Sequence, residues 1–241
     1  MRKYVIVAVL MTAVMCASAQ SKPEPYFTFK ELPNMLKWYP APPDTIGPAF
    51  TYDIMQYMWG KQMRQDSVRG GIAIRDAVYS LECIAEEFSE PFGLKISEEE
   101  TPEIWKLLRD AKATCEHMGG FPKYYYKRKR PFVRFQEPTA TPEFEPELRR
   151  NFSYPSGHTL LGWCSALLLT EINPERADTI LARGMMYGES RVIVGAHWQS
   201  DVDAGRMAAA AVYARIHTSE RFLEQMRLAR REFRIKKGLA K

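Results

Sequence analysis

Apolar residues in this chain recur at helical spacing and nowhere in the sustained alternation that a strand surface requires. Ile104, Leu108, Ala111, Cys115 and Met118 fall on one helical face, opened by Thr101-Pro102 and followed by Gly119-Gly120. The same spacing predicts helices from Ala49 to about Gln65 and, after Gly70-Gly71, from Ile72 to Phe88. Further helices are expected from Ser156 to Ile172, from Asn173-Pro174 to about Tyr187, and from Asp201 to Ile216. The tail, Ser219 to Lys241, reads as a charged amphipathic helix. Ser89 to Glu100 reads as a loop, and residues 121–154 as irregular chain dense in Arg, Lys, Tyr and Pro. The expected fold is all-α: one compact helical domain over 49–241, preceded at 20–48 by a proline-rich lead-in.

The first nineteen residues carry a different signal. Arg2 and Lys3 precede an uncharged apolar stretch, Tyr4 to Met15, and Ala17-Ser18-Ala19 supplies a small-x-small cleavage pattern. The stretch is about a dozen residues long, against the roughly 20 that a spanning helix needs. A cleaved export signal is therefore expected, placing the mature chain in the periplasm or the medium. No later apolar run reaches spanning length; Leu160 to Leu169 is the longest, so no membrane span is expected. Loss of Arg2 and Lys3 lowers the formal charge from +5 to about +3, too mild a balance to call for a nucleic-acid partner. Three cysteines remain in the mature chain. Cys83 and Cys115 lie on neighbouring helical segments and could pair, while Cys164 falls within an apolar helix.

Three clusters carry chemistry. Lys123-Tyr-Tyr-Tyr-Lys-Arg-Lys-Arg130-Pro131 is strongly basic; alone it would serve equally as a solvated face. Ser153-Tyr-Pro-Ser156-Gly157-His158-Thr159 opens an apolar helix. There Ser156 can cap, Gly157 lets a ligand approach the backbone, and the unpaired amides of the first turn favour an anion. Gly188-Glu-Ser-Arg191-Val-Ile-Val-Gly-Ala-His197-Trp-Gln-Ser-Asp201 sets a carboxylate four residues after a histidine, where it could hold the ring N–H. Together these supply three fixed cations, helix-start amides and two histidines, which suits binding and transfer of a tetrahedral oxyanion.

The order Lys-x6-Arg-Pro, Pro-Ser-Gly-His, Ser-Arg-x5-His-x3-Asp resembles the motif of the type 2 phosphatidic acid phosphatase superfamily. Tyr125 to Phe132, Ser153 to Thr159 and His197 to Asp203 are similar to the bacterial class A non-specific acid phosphatases. Phe152 departs from that pattern, which usually has glycine there. The resemblance implies His197 as nucleophile, forming a phosphohistidine, Asp201 as its orienting carboxylate and His158 as general acid and base. It implies Lys123, Arg130, Ser156, Gly157 and Arg191 as the phosphate cradle. No metal and no cofactor are implied. The expected substrates are small phosphate monoesters (nucleotides, sugar or aryl phosphates), with some transfer of phosphate to alcohols.

Two other readings share these residues: a vanadium-dependent haloperoxidase, since vanadate mimics the transferring phosphoryl group, and a non-catalytic phosphoester binder. A Ser156-His158 hydrolase lacks the Gly-x-Ser-x-Gly elbow it would need. Asp203 reads as a helix-start or loop-pairing residue, His117 and His217 as bonding carbonyls near their helix ends, and Trp198, Tyr124 and Tyr154 as pocket wall or core. The basic last helix, Arg221 to Lys241, would suit either self-association into a homo-oligomer or a solvated surface.

Overall fold

A computed structural model describes residues 22–43 and 46–239; the expected export signal lies outside them. Among the described residues there are ten α-helices and no strands. They are α1 (Pro48–Met63), α2 (Ser67–Arg75), α3 (Leu81–Phe92), α4 (Pro102–Tyr126), α5 (Pro131–Phe135), α6 (Glu145–Leu148), α7 (Gly157–Ile172), α8 (Ala177–Ile193), α9 (Gln199–Ile216) and α10 (Glu220–Lys236). The all-α expectation holds.

The most apolar helix is the hub. Ser156 ends its extended entry and caps α7 by accepting from the Thr159 amide at 3.3 Å. Leu160, Leu161, Leu168 and Leu169 are buried, and α8, α9 and α4 pack around them. Burying an aliphatic side chain of this size contributes about 2 kcal/mol, so α7 needs partners on all sides. No helix among the described residues is long and apolar enough to cross a membrane.

Several boundaries differ from the sequence reading. Gly70-Gly71 does not separate two helices; it sits inside α2, which Asp66 caps through the Val68 and Arg69 amides at 2.9 and 2.6 Å. A Cβ on Gly70 would meet the Arg64 carbonyl oxygen at 2.7 Å, so that glycine answers a close approach. The chain breaks instead at 76–80, and α3 continues to Phe92 through part of the expected loop. Gly119-Gly120 does not end α4 either, which runs on through Pro122 to Tyr126. Two interior glycines cost about 1 kcal/mol each relative to alanine. The continuation nevertheless holds Lys123 over the same cavity that Gly119 and Gly120 line. α8 extends past Tyr187 to Ile193, carrying Arg191 on its last turn.

Over residues 22–43 the lead-in is extended apart from a turn at 28–32 and a 3-10 turn at Met35–Lys37. It lies across α4 and α10: the Tyr26 amide donates to Thr114 Oγ1 at 2.9 Å, and Arg221 donates to the Glu24 and Pro25 carbonyls. His117 bonds the Phe27 carbonyl at 3.1 Å rather than a carbonyl of its own helix. His217 does bond its helix, at Tyr213 O, and also reaches Glu171. Cys83 and Cys115 are not bridged. Cys115 faces Cys164 across the α4–α7 contact, and Cys83 Sγ donates to the Arg75 carbonyl. Helical periodicity places a thiol on a face but does not say which neighbour that face meets.

α9 crosses the start of α7 so closely that a Cβ on Gly205 would lie 2.7 Å from Ser156 O and 2.9 Å from Thr159 Cβ. Gly205→Ala should therefore lower stability by about 1–3 kcal/mol, read as a lower denaturation midpoint. Gly157→Ala, with nothing within 4 Å of the added carbon, should stay within about 1 kcal/mol of the parent.

Candidate active site

Six of the eight residues singled out in the sequence line one cavity of about 490 Å³: Lys123, Arg130, Gly157, His158, Arg191 and His197. They arrive from the end of α4, the residue before α5, the start of α7, the end of α8 and the loop into α9. The other two lie just behind. Ser156 is fully buried, with its Oγ taken up by the Thr159 amide and hydroxyl. Asp201 is fully buried beneath His197.

The tautomer of His197 follows from its neighbours. Arg130 Nη1 lies 2.8 Å from Nε2, and a guanidinium can only donate, so Nε2 is the accepting nitrogen. Nδ1 therefore carries the hydrogen and faces Asp201 Oδ2 at 3.3 Å. That carboxylate collects three further donors: the Trp198 amide at 2.9 Å, the Ser153 hydroxyl, and Arg128 Nη1 on Oδ1. Arg128 also donates to Asp53 Oδ2 on α1 at 2.6 Å, and Asp53 holds Ser200 by both amide and hydroxyl. Arg128, Ser153 and Asp53 were not assigned from the sequence. Arg128 sits within the basic motif and Ser153 within the Ser-Tyr-Pro motif, which was the available signal; Asp53, 148 residues before Asp201, gave none.

His158 has the opposite arrangement. Its Nε2 lies 3.0 Å from the Ala77 carbonyl, which can only accept, so Nε2 holds the hydrogen and Nδ1 is the atom free to exchange a proton. The Tyr79 ring packs on the imidazole at 4.8 Å.

The three cations are tied differently. Lys123 Nζ donates to the Phe152 and Pro155 carbonyls at 2.9 and 2.6 Å. Arg130 is bound by the carbonyls of Leu148, Ala196 and Phe152 and by Asn151 Oδ1. Phe152 thus works through its backbone, while its ring packs edge-on against Tyr124 at the cavity wall. Arg191 is 1% exposed, yet its Nε and Nη1 have no hydrogen-bond partner among the described residues. A buried guanidinium edge left this way is costly without an anion. Burial and mutual repulsion push Lys123 well below its ordinary value and bring Arg130 down to about 9; burial alone accounts for Arg191 at about 10. Burial, reinforced by the surrounding cations, holds both histidines well below 6.5. Such a cavity favours a tetrahedral oxyanion with two or three free oxygens. Among the described residues no group of three or more His, Cys, Asp or Glu side chains is placed to hold a metal ion.

Of the three aromatic candidates, Tyr124 lines the cavity. Trp198 is buried in a cluster with Phe50, Tyr57 and Phe135, and Tyr154 is buried with its hydroxyl on the Pro40 carbonyl.

The sequence pattern of the PAP2 superfamily matches residues 111–223, which span every cavity cation and both histidines. A non-specific acid phosphatase of Salmonella typhimurium is 42% identical over 221 residues, covering 90% of this chain and 86% of that protein. One of Providencia stuartii is 40% identical over 218 residues, covering 88% and 86%. An acid phosphatase of Zymomonas mobilis is 34% identical over 224 residues, covering 92% and 83%. The chain belongs to the non-specific acid phosphatases of the PAP2 superfamily. It is a phosphatase, and the sequence resemblance was correct.

The histidine environment has a consequence for this phosphatase. In the folded, phosphate-free enzyme both rings are held neutral, whereas in the unfolded chain they regain the ordinary value of 6.5. Below about pH 6.5 the unfolded state then binds more protons, so stability falls as pH falls, by up to about 1.4 kcal/mol per pH unit for each ring. Denaturation midpoints from pH 7.5 to 5 should show this drop, and saturating inorganic phosphate should reduce it by supplying the missing negative charge.

Proposed function

We propose that the enzyme is an exported, metal-independent phosphatase of small phosphate monoesters that works through a phosphohistidine on His197. The observation that carries the reading is the His197 environment: Nε2 is an acceptor directed toward Arg130, Nδ1–H is held by Asp201, and the ring is neutral through burial and neighbouring cations. A neutral, oriented imidazole nitrogen is what a nucleophile at phosphorus requires. The N-terminal export pattern supports secretion.

In this mechanism the phosphoryl oxygens take the free edge of Arg191, together with Arg130, Lys123 and the Gly157 amide. His197 Nε2 attacks phosphorus as the P–O bond to the leaving alcohol breaks, and Asp201 stabilises the ring as it becomes positive. The leaving oxygen takes a proton from His158 Nδ1. Water then attacks the phosphohistidine, giving up its proton to His158 Nδ1, and His197 is released neutral. Beside the phosphate site the cavity is lined by Tyr79, Tyr124, Phe144 and Leu148 together with Glu116 and Glu147, and the apolar share of that wall suits a range of leaving groups.

His158 is itself neutral before substrate arrives, so the proton for the leaving group enters with the phosphate monoanion or is drawn on by it. Phosphate esters lose that proton near pH 6. The specificity constant should fall about tenfold per pH unit on the alkaline side of that value. Its acid limb, set by protonation of His197, should lie well below 6.5.

The direct test is hydrolysis of p-nitrophenyl phosphate in excess EDTA from pH 4 to 8, with His197→Ala alongside. Turnover should survive EDTA, peak on the acid side and vanish in the variant. Labelled phosphate trapped on the protein by alkaline quench should be found on His197. Turnover that EDTA abolishes, or that persists without His197, contradicts the mechanism.

A further inference from the structure

Behind the cavity lies a second buried polar cluster that the mechanism above does not use. Asp76 is fully buried at the end of α2, and Arg183 of α8 donates to both of its carboxylate oxygens. Ser190 Oγ lies 2.6 Å from Asp76 Oδ2. Arg183 also reaches Glu87 on α3 at 2.9 Å, and Arg69 on α2 reaches Ser190 Oγ and the Met186 carbonyl, each at 3.0 Å. Three helices thus meet in one polar cluster around the Asp76–Arg183 pair. Fully buried ion pairs are a poor source of net stability, because desolvation offsets most of the attraction; their attested use is to specify geometry.

The geometry specified here is that of the turn joining α2 to α3. Its own backbone bonds are local: Ala77 N to Ile74 O at 3.1 Å and Val78 N to Arg75 O at 3.2 Å. These shape the turn without fixing where it sits against α7 and α8. Asp76 supplies that anchor. The next residue presents the carbonyl that accepts from His158 Nε2, and two residues further on is the Tyr79 ring that packs on the imidazole. Asp76 therefore stands one residue from the group that dictates which nitrogen of His158 can exchange a proton.

We propose that the Asp76–Arg183–Ser190 cluster positions His158 for proton transfer to the leaving group, by holding the Ala77 carbonyl against Nε2 so that Nδ1 faces the substrate. Asp76, Arg183 and Ser190 are positioning residues; none lines the cavity. This rests on the general-acid role given to His158 above.

A leaving group that needs no proton does not need a positioned acid. The test compares kcat/KM, which reports steps through P–O cleavage, for glycerol phosphate and for 2,4-dinitrophenyl phosphate. An alkoxide must be protonated as it departs, whereas dinitrophenolate leaves unaided. Asp76→Asn and Ser190→Ala are made in the full chain, with His158→Ala as reference and denaturation midpoints as the folding control. General-acid catalysis contributes about 10²–10⁴-fold. Asp76→Asn should lose about a hundredfold or more on glycerol phosphate and only a few-fold on the dinitrophenyl ester. Ser190→Ala removes the hydroxyl bond to Asp76, with those to Arg69 and the Met186 carbonyl, and leaves the Arg183–Asp76 pair, so it should show the same bias at about tenfold. Should Asp76→Asn not fold, Ser190→Ala decides the matter.

Equal losses on both substrates in a folded variant, or no loss on either, would overturn the proposal. If His158→Ala itself shows no dependence on the leaving group, the general-acid assignment fails and the proposal falls with it. If His158→Ala shows the bias and the cluster variants do not, only the proposal fails.

Discussion

Much of this active site hangs on one buried carboxylate. Asp201 accepts from four donors that come from three parts of the chain: Arg128 before α5, Ser153 before α7, and both His197 Nδ1 and the Trp198 amide at the entrance to α9. Three of these bonds are structural and one is chemical. The same carboxylate that closes the first turn of α9 therefore holds the Nδ1 hydrogen of His197. Removing any partner would leave charge or polar atoms buried and unpaired, a penalty larger than the bond's own worth.

The cations pose the opposite problem. Lys123, Arg130 and Arg191 converge on one small space where the nearby charge of Asp201 compensates them only partly, and each is pushed below its ordinary value. A fold would not collect them for stability. Backbone carbonyls hold Lys123 and Arg130 in place without neutralising them, because a carbonyl accepts a hydrogen bond but carries no net charge. The unspent electrostatic attraction is left for an oxyanion, and the unpartnered edge of Arg191 marks where one side of it would rest.

The two histidines show how orientation is divided between side chain and backbone. His197 is fixed by a carboxylate on one nitrogen and a guanidinium on the other, and His158 by a main-chain carbonyl. The result is a pair of rings in opposite tautomers, with Nε2 the unprotonated nitrogen of His197 and Nδ1 the unprotonated nitrogen of His158. A carbonyl orienter adds no charge to the ring it holds, so burial and the neighbouring cations set the ring's proton affinity. That dependence also makes the placement of the Asp76–Tyr79 turn consequential.

The sequence by itself determined the all-α class, the identity of the family, and the three cations and two histidines that the cavity brings together. Helical class is written in local periodicity, and the charged motifs are short, contiguous and chemically distinctive. Ser156 was legible as a cap because capping is a matter of adjacent residues. Only the tertiary structure decided which helix faces meet. It set Cys115 against Cys164 rather than Cys83, and it carried α4 past two glycines to bring Lys123 over the cavity. It also recruited Asp53, Asp76 and Ala77, whose partners lie 75 to 147 positions away. Those contacts arise from packing between distant segments, and no local pattern in a chain can encode which distant carbonyl or carboxylate will come to lie beside it.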